Sequence, residues 1–297
     1  MGFSMEKRPR DMRMDNIKAL LIILVVLGHA LELFLKSGSV KTIYKLIYSF
    51  HMPLFIFISG YFAKFNIKKI LIGLAVPYVV FQSIYIFYVD YILDIKKNVS
   101  FSYSQPYWIM WYMMAMIVWS LSVPIISLGN RWVHALMVAA AFALSIAVGY
   151  VHAIGMKYTL SRIFVYFPFF MLGHYFADIM KNKEKRDELL SIYNKYKAPI
   201  CLGSAAAFGA AVGLMVEYTK KYSYVWLYEC APYKVSHETP VIRAAHAVVA
   251  LICIVYIYIL TPNIKLNLFS KLGAKTKGVY LGHGFIILAL KNMMGLI

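Results

Sequence analysis

The sequence predicts an all-α fold, a polytopic membrane helix bundle of about nine to ten transmembrane helices with a cytoplasmic N-terminus. Three observations carry this. Of 297 residues, 61% are hydrophobic and only 15% charged, with a mean hydropathy of +0.66, whereas soluble domains hold roughly 45–50% apolar residues. Nine apolar runs are each near the ~20 residues that a helix needs to cross a bilayer. The 31 Lys and Arg residues fall unevenly on the two sides that those runs define. Such a composition excludes a disordered chain, a coiled coil and most soluble enzymes. The whole of 1–297 reads as one integral membrane domain behind a basic cytoplasmic segment, 1–15.

In chain order the runs lie at 16–36, 43–63, 70–92, 107–128, 132–152, 160–179, 198–217, 241–260 and 278–296. Unpaired backbone cannot face lipid, so each is expected as a helix. The first run follows basic residues, as a secretory leader would. No small-residue cleavage site follows it and more apolar segments come after, so it reads as a retained span. In the second, Pro53 has no N–H for the carbonyl of Ser49, which loosens the helix beside His51. The sixth opens on Ser161 and Arg162 and closes on His174 and Asp178. The charged stretch 181–197 reads as a solvated or interfacial helix. The polar-aromatic connection 218–240 carries Tyr222, Tyr224, Trp226 and Tyr228. Its apolar part is too short for a tenth span. It reads as a surface loop or re-entrant piece over the outer mouth, of a length that lids often have. The ninth run follows a loop with Lys265, Lys271, Lys275 and Lys277.

With the N-terminus inside, eighteen basic residues fall on the cytoplasmic side and eight on the other, and five lie within or at the ends of spans. The positive-inside rule sets that orientation. A net charge of +18 would suggest nucleic acid in a soluble protein. Here cytoplasmic loops account for it, and no nucleic-acid partner is expected. The 24 Tyr, 19 Phe and 5 Trp suit a chain with two membrane interfaces to line. Cys201, Cys230 and Cys253 have no metal or redox spacing and read as packing residues.

The first span carries a polar stripe. Lys18 and His29 are eleven residues apart, three turns plus about 20°, so they share a face roughly 16 Å apart along the axis. Asp15 and Glu32 extend the stripe at either end. Ionisable groups at membrane depth are costly, so they face the bundle interior and mark a pathway or a site. Lys18 either snorkels to the cytoplasmic interface or belongs to that site. His29 lies well into the outer half and is the candidate catalytic group. Glu32 either orients its ring or pairs with Lys36 at the outer interface. Gly28 allows close approach of a helix or ligand. His51 sits at a similar depth, as a packing residue or a site residue. Arg162 suits an anionic or oxygen-rich group, or headgroups. Tyr280 and His283 fall near the cytoplasmic face, beside the basic loop. A His/Glu/Lys stripe is also what a proton-coupled carrier shows. Against that reading, no halves of the sequence repeat, and nine spans do not divide into equal inverted repeats.

These residues lie in stretches that resemble the acyltransferase 3 family of integral membrane O-acyltransferases, in its fucose 4-O-acetylase-like branch. The stretches are DNIKALLIILVVLGH at 15–29, SFHMPLFIFISGYF at 49–62, YWIMWYMMAMIVW at 107–119, SRIFVYFPFFMLG at 161–173 and KLGAKTKGVYLGH at 271–283. The family's Arg-x10-His on the first span is matched by Lys18 and His29; lysine keeps the cation but loses the planar fork. The resemblance implies an enzyme of the bacterial plasma membrane. It would move an acyl group, commonly acetyl from cytosolic acetyl-CoA, to a hydroxyl of a sugar or related acceptor on the outer side. No metal is expected. On that reading His29, Glu32 and His51 are catalytic, and an acyl-histidine intermediate is an open variant. Lys18 and Arg13 neutralise the nucleotide phosphates, with Tyr280 and His283 on the donor side. Arg162, Trp226 and Tyr228 hold the acceptor.

Overall fold

The computed structural model describes residues 11–95, 101–218, 220 and 223–296, which form helices, turns and connections without a strand. Lys7, Arg8 and Arg10 of the basic N-terminal segment, and Tyr222, lie outside the described residues. Helix α1 (Met12–Leu31) starts where the Asp11 carboxylate accepts from the Arg13 backbone N–H, a cap worth about 1 kcal/mol. The second predicted run is two helices, α2 (Gly38–Tyr48) and α3 (His51–Phe62), joined through Ser49 and Phe50. The break falls where Pro53 cannot donate to the Ser49 carbonyl. Helix α4 (Ile67–Ile92) has π-helical turns at Leu71–Ala75 and Tyr88–Ile92. Pro77 likewise has no N–H for the Gly73 carbonyl, which accepts from Lys277 Nζ at 2.6 Å.

There follow α5 (Trp111–Ile126), α6 (Arg131–Ala147), α7 (Leu160–Lys181), α8 (Lys183–Lys195), α9 (Lys197–Tyr218), α10 (Pro240–Leu260), α11 (Asn267–Ala274) and α12 (Thr276–Met293). Among the described residues, eight helical stretches are long and apolar enough to cross a membrane by length and composition, and they match the first eight predicted runs. The ninth run is α12, 18 residues long and made more polar by Lys277, His283 and Lys291. The stretch 181–197 contains α8, which has no buried residue, as a solvated or interfacial helix would. The connection 218–240 is not a tenth span. Its described part is a 3₁₀ turn, Tyr224–Tyr228, and a single helical turn, Tyr233–Ser236.

Helices α3 and α7 share the most extensive helix–helix contact. A Cβ on Gly60 would lie 2.0 Å from the Phe170 carbonyl oxygen, and one on Gly173 would lie 1.9 Å from that of Phe57. Two backbones meet there because neither has a side chain at the crossing. Helix α1 is enclosed by α2, α3, α11 and α12, while α9 lies at the periphery against α10. Helix α11 packs so tightly on the first turn of α1 that a Cβ on Gly273 would meet the Asp15 carbonyl at 1.7 Å. That contact starts α12 beside α1, and the two helices remain in contact. It therefore decides which residues of α12 reach the candidate site.

Candidate active site

Six segments converge on one cavity of about 330 Å³ at the end of α1. His29 and Glu32 come from α1 and the turn after it, Tyr48 and His51 from the α2–α3 break, and Trp108 and Trp111 from the start of α5. Arg162 and Tyr166 come from α7, Leu227 and Tyr228 from the connection before α10, and Lys291 from the end of α12. By the charge asymmetry of the loops this is the outer half of the bundle.

His29 Nδ1 lies 2.8 Å from Glu32 Oε1. A carboxylate only accepts, so Nδ1 carries the proton, and a neutral ring keeps its lone pair on Nε2. The same Glu32 oxygen accepts from Tyr48 Oη at 3.2 Å, and its other oxygen meets Lys291 Nζ at 2.5 Å. Glu32 is thus held by a histidine, a phenol and an ammonium. Its ammonium partner is Lys291, 259 positions along the chain, and not Lys36. Around the His29 ring stand Trp108, edge-on at 4.7 Å, and His283, stacked at 5.4 Å. Gly28 is where Tyr48 packs, since a Cβ there would meet its ring at 2.9 Å.

His51 is 2% exposed and donates from Nδ1 to the Ile47 carbonyl at 2.8 Å, one turn back across the helix break. It lines the cavity with Nε2 left over as an acceptor. Arg162 donates from Nε to the Tyr228 carbonyl at 2.8 Å and lays its guanidinium 4.7 Å above Trp111. Tyr228 Oη accepts from Tyr44 Oη at 2.9 Å.

Two expectations are corrected. Tyr280 and His283 are not at the cytoplasmic face. Because α11 props α12 against α1, His283 stacks on His29 at the outer cavity, and Tyr280 donates to the Ile109 carbonyl beside it. His283 donates from Nδ1 to the Val279 carbonyl at 3.0 Å, and its buried Nε2 has no partner among the described residues. Trp226 does not line the cavity. It is buried on the far side of the turn, edge-on to His246 at 5.6 Å.

At the other end of α1, Lys18 pairs with Asp15 at 2.8 Å and lies 4.8 Å above the Phe62 ring. It borders two crevices. One, of about 680 Å³, also holds Arg13, Lys181 and Arg186, together with the carboxylates of Asp11 and Asp15. The other, of about 360 Å³, gathers Lys18, Lys64, Lys69 and Thr276 without a carboxylate and runs past Ser59 to Tyr112. Arg13 belongs to the first alone, 4.7 Å above the Tyr258 ring. The Tyr112 ring lies 5.4 Å from Tyr280, and the Tyr280 ring lies 6.2 Å from His283. A continuous line of rings therefore joins the cationic crevice to His29.

Sequence reasoning missed Tyr48, Trp108, Trp111 and Lys291 as members of the site. It also missed His283 as a neighbour of His29. The available signal was chemical: Lys291 is an ammonium within an apolar run, which membrane depth makes costly without a partner.

The family profile described as an acyltransferase domain matches residues 13–297. The nodulation protein NolL of Sinorhizobium fredii is 29% identical over 197 residues, 59% of this chain and 50% of that protein. The nodulation protein NolL of Mesorhizobium japonicum is 42% identical over 59 residues, 18% of this chain and 16% of that protein. The matches thus span half or less of the length of these curated relatives. No solved structure matches the chain. With nearly its full length inside the family profile, and with an ordered histidine–carboxylate pair in its cavity, the chain belongs to the acyltransferase 3 family.

Proposed function

We propose that this protein is a membrane O-acyltransferase that moves acetyl from cytosolic acetyl-CoA to a hydroxyl of a sugar or related acceptor at the outer side of a bacterial plasma membrane, with 1–297 acting as one catalytic domain. The observation that carries the reading is the His29–Glu32 contact inside the outer cavity, at the far end of the ring line from the cationic crevice.

The acceptor hydroxyl enters the outer cavity and attacks the thioester carbonyl while His29 Nε2 takes its proton. Collapse of the adduct breaks the C–S bond, and the departing thiolate takes the proton back from the imidazolium. Glu32 keeps the ring in the working tautomer and offsets the charge formed on it, and general-base help of this kind is worth about 10²–10⁴-fold. Lys291 and Tyr48 keep Glu32 in place. Arg162 and His51 lie on the cavity wall to steady the developing oxyanion or the sugar. Tyr228 and Trp111 offer aromatic faces to a sugar ring.

On the donor side, Lys64 and Lys69, with Lys18 beside its Asp15 partner, supply cations for the nucleotide phosphates in a crevice that no carboxylate lines. Arg13 stands in the crevice that also holds the Asp11 and Asp15 carboxylates and is the weaker candidate. The pantetheine arm follows Ser59, Tyr112, Tyr280 and His283 to His29, a rise of about 16 Å along α1. The carrier reading is not favoured, because membership of an acyltransferase family supports group transfer. Purified protein given acetyl-CoA labelled in the acetyl group, with methyl α-fucoside as acceptor probe, is expected to release free CoA and a labelled ester. Uptake of intact label into proteoliposomes without ester formation would support a carrier.

A further inference from the structure

The outer wall of the cavity is backed by a buried ion cluster that takes no part in the chemistry above. Arg243 in the first turn of α10, His246 one turn on, and Glu229 and Glu238 in the connection are all under 5% exposed. Arg243 donates to Glu238 Oε2 from Nε at 3.1 Å and from Nη2 at 2.6 Å, and from Nη1 to the Ser145 carbonyl of α6 at 3.1 Å. Glu229 Oε2 lies 3.0 Å from Arg243 Nε, held by charge without a hydrogen bond. Glu229 Oε1 accepts from His246 Nδ1 at 3.0 Å. One guanidinium therefore grips both ends of the 229–238 turn and ties them to α6 and α10.

The other side of the same turn forms the cavity wall. The Glu229 carbonyl accepts from Ser161 Oγ at 2.8 Å, and the neighbouring Tyr228 carbonyl accepts from Arg162 Nε at 2.8 Å. Leu227 and Tyr228 line the cavity directly. If Glu229 shifts, the Tyr228 carbonyl shifts with it and the Arg162 guanidinium loses its anchor.

Buried ion pairs contribute little net stability, and apolar groups of equal volume often do as well or better. Two carboxylates on one guanidinium are poorer still in that respect. What a planar fork supplies is direction, since it fixes the carboxylates it binds in one geometry. We infer that Arg243, Glu229 and Glu238, backed by His246, are positioning residues that clamp the 224–238 connection across the outer mouth and so hold Leu227, Tyr228 and Arg162 as the acceptor-side wall. The inference rests on reading the outer cavity as the acceptor's.

Three variants, Glu238→Gln, Arg243→Lys and Tyr228→Ala, in a Cys201→Ser background would be assayed with acetyl-CoA and methyl α-fucoside. Cys230, partly exposed in the clamped turn, reports on its seating through labelling by a polar maleimide. Glu238→Gln replaces one of two acids that share a single cation by a neutral amide of the same shape, so the protein is expected to fold. Its acceptor KM should rise about fivefold or more while the acetyl-CoA KM stays within about twofold, and Cys230 should label several-fold faster. Arg243→Lys, which keeps the charge and loses the fork, should do the same or more. Unchanged acceptor KM and unchanged labelling in Glu238→Gln would overturn the clamp, as would an equal rise in both KM values. Tyr228→Ala separates the two claims. If it raises the acceptor KM while the cluster variants do not, the clamp is wrong. If it alters only the acetyl-CoA KM, the acceptor-side reading is wrong, and labelling still decides the clamp.

Discussion

His29 Nδ1 and Glu32 Oε1 lie 2.8 Å apart at the end of α1, and this contact decides which ring nitrogen keeps its lone pair. Glu32→Gln retains an acceptor for Nδ1–H but removes the charge that offsets the imidazolium. We expect kcat to fall about 10–100-fold with both KM values little changed, about 1.4 kcal/mol of barrier per factor of ten. Steady-state kinetics over both substrates check this. An unchanged kcat would make Glu32 an interfacial carboxylate only.

Lys291 Nζ holds the second Glu32 oxygen at 2.5 Å and lies 4.9 Å above the Trp108 ring. Lys291→Met should lower kcat by about tenfold, because an unpaired Glu32 is free to leave His29. Lys291→Arg should restore part of the loss, since the charge is kept. Equal loss in both variants would point to packing of the side chain against Trp108 in place of its charge.

On the proposed reading, Lys18 acts on the donor. Lys18→Ala should raise the apparent KM for acetyl-CoA more than that for the acceptor, and Lys64→Ala and Lys69→Ala should act in the same direction. Added salt should weaken donor use in wild type and less so in these variants. Lys18→Arg should retain much activity, because charge placement and not a fork is required. The reverse KM pattern would put the donor elsewhere.

Burial, and then the Glu229 carboxylate beside it, push the Glu238 carboxyl up to about 9, against the opposing pull of Arg243. The folded state therefore binds that proton more tightly than the unfolded chain. The resulting stability is full below the ordinary carboxylate range and is lost as pH rises through about 9. Tyr233, Arg243, His246 and Glu229 are the other titratable groups facing the site. Melting temperature should fall between about pH 5 and 9 and level off above that, and the fall should be smaller in Glu238→Gln. Thermal melts across that range measure it, and identical profiles for the two proteins would contradict the argument.

The helices and the polar stripe of α1 were legible because both are local patterns. Apolar runs of spanning length follow from the bilayer alone, and Lys18, His29 and Glu32 share a face by the helical repeat alone. The break beside His51 could be read from Pro53. What was not legible depends on contacts between distant parts of the chain. Glu32 and Lys291 are 259 positions apart. The nearness of His283 to His29 depends on the eight-residue helix α11, whose docking on Asp15 sets where α12 begins. Trp226 and Tyr228 are two residues apart in a 3₁₀ turn, and only the fold decides that Tyr228 meets the cavity while Trp226 turns to His246. The Arg243 cluster draws on two loop carboxylates and one helix, with no spacing that announces it.

Whether His29 is the base for acyl transfer is tested by a single-turnover assay. Purified wild type and His29→Ala would be loaded with acetyl-CoA labelled in the acetyl group, and release of label to the acceptor probe would be followed in each. Thermal melts and acetyl-CoA binding would confirm that the variant is folded. His29→Ala is expected to bind acetyl-CoA and melt like wild type, yet to transfer acetyl at least about 10²-fold more slowly. A folded His29→Ala protein that transfers acetyl at close to the wild-type rate would contradict it.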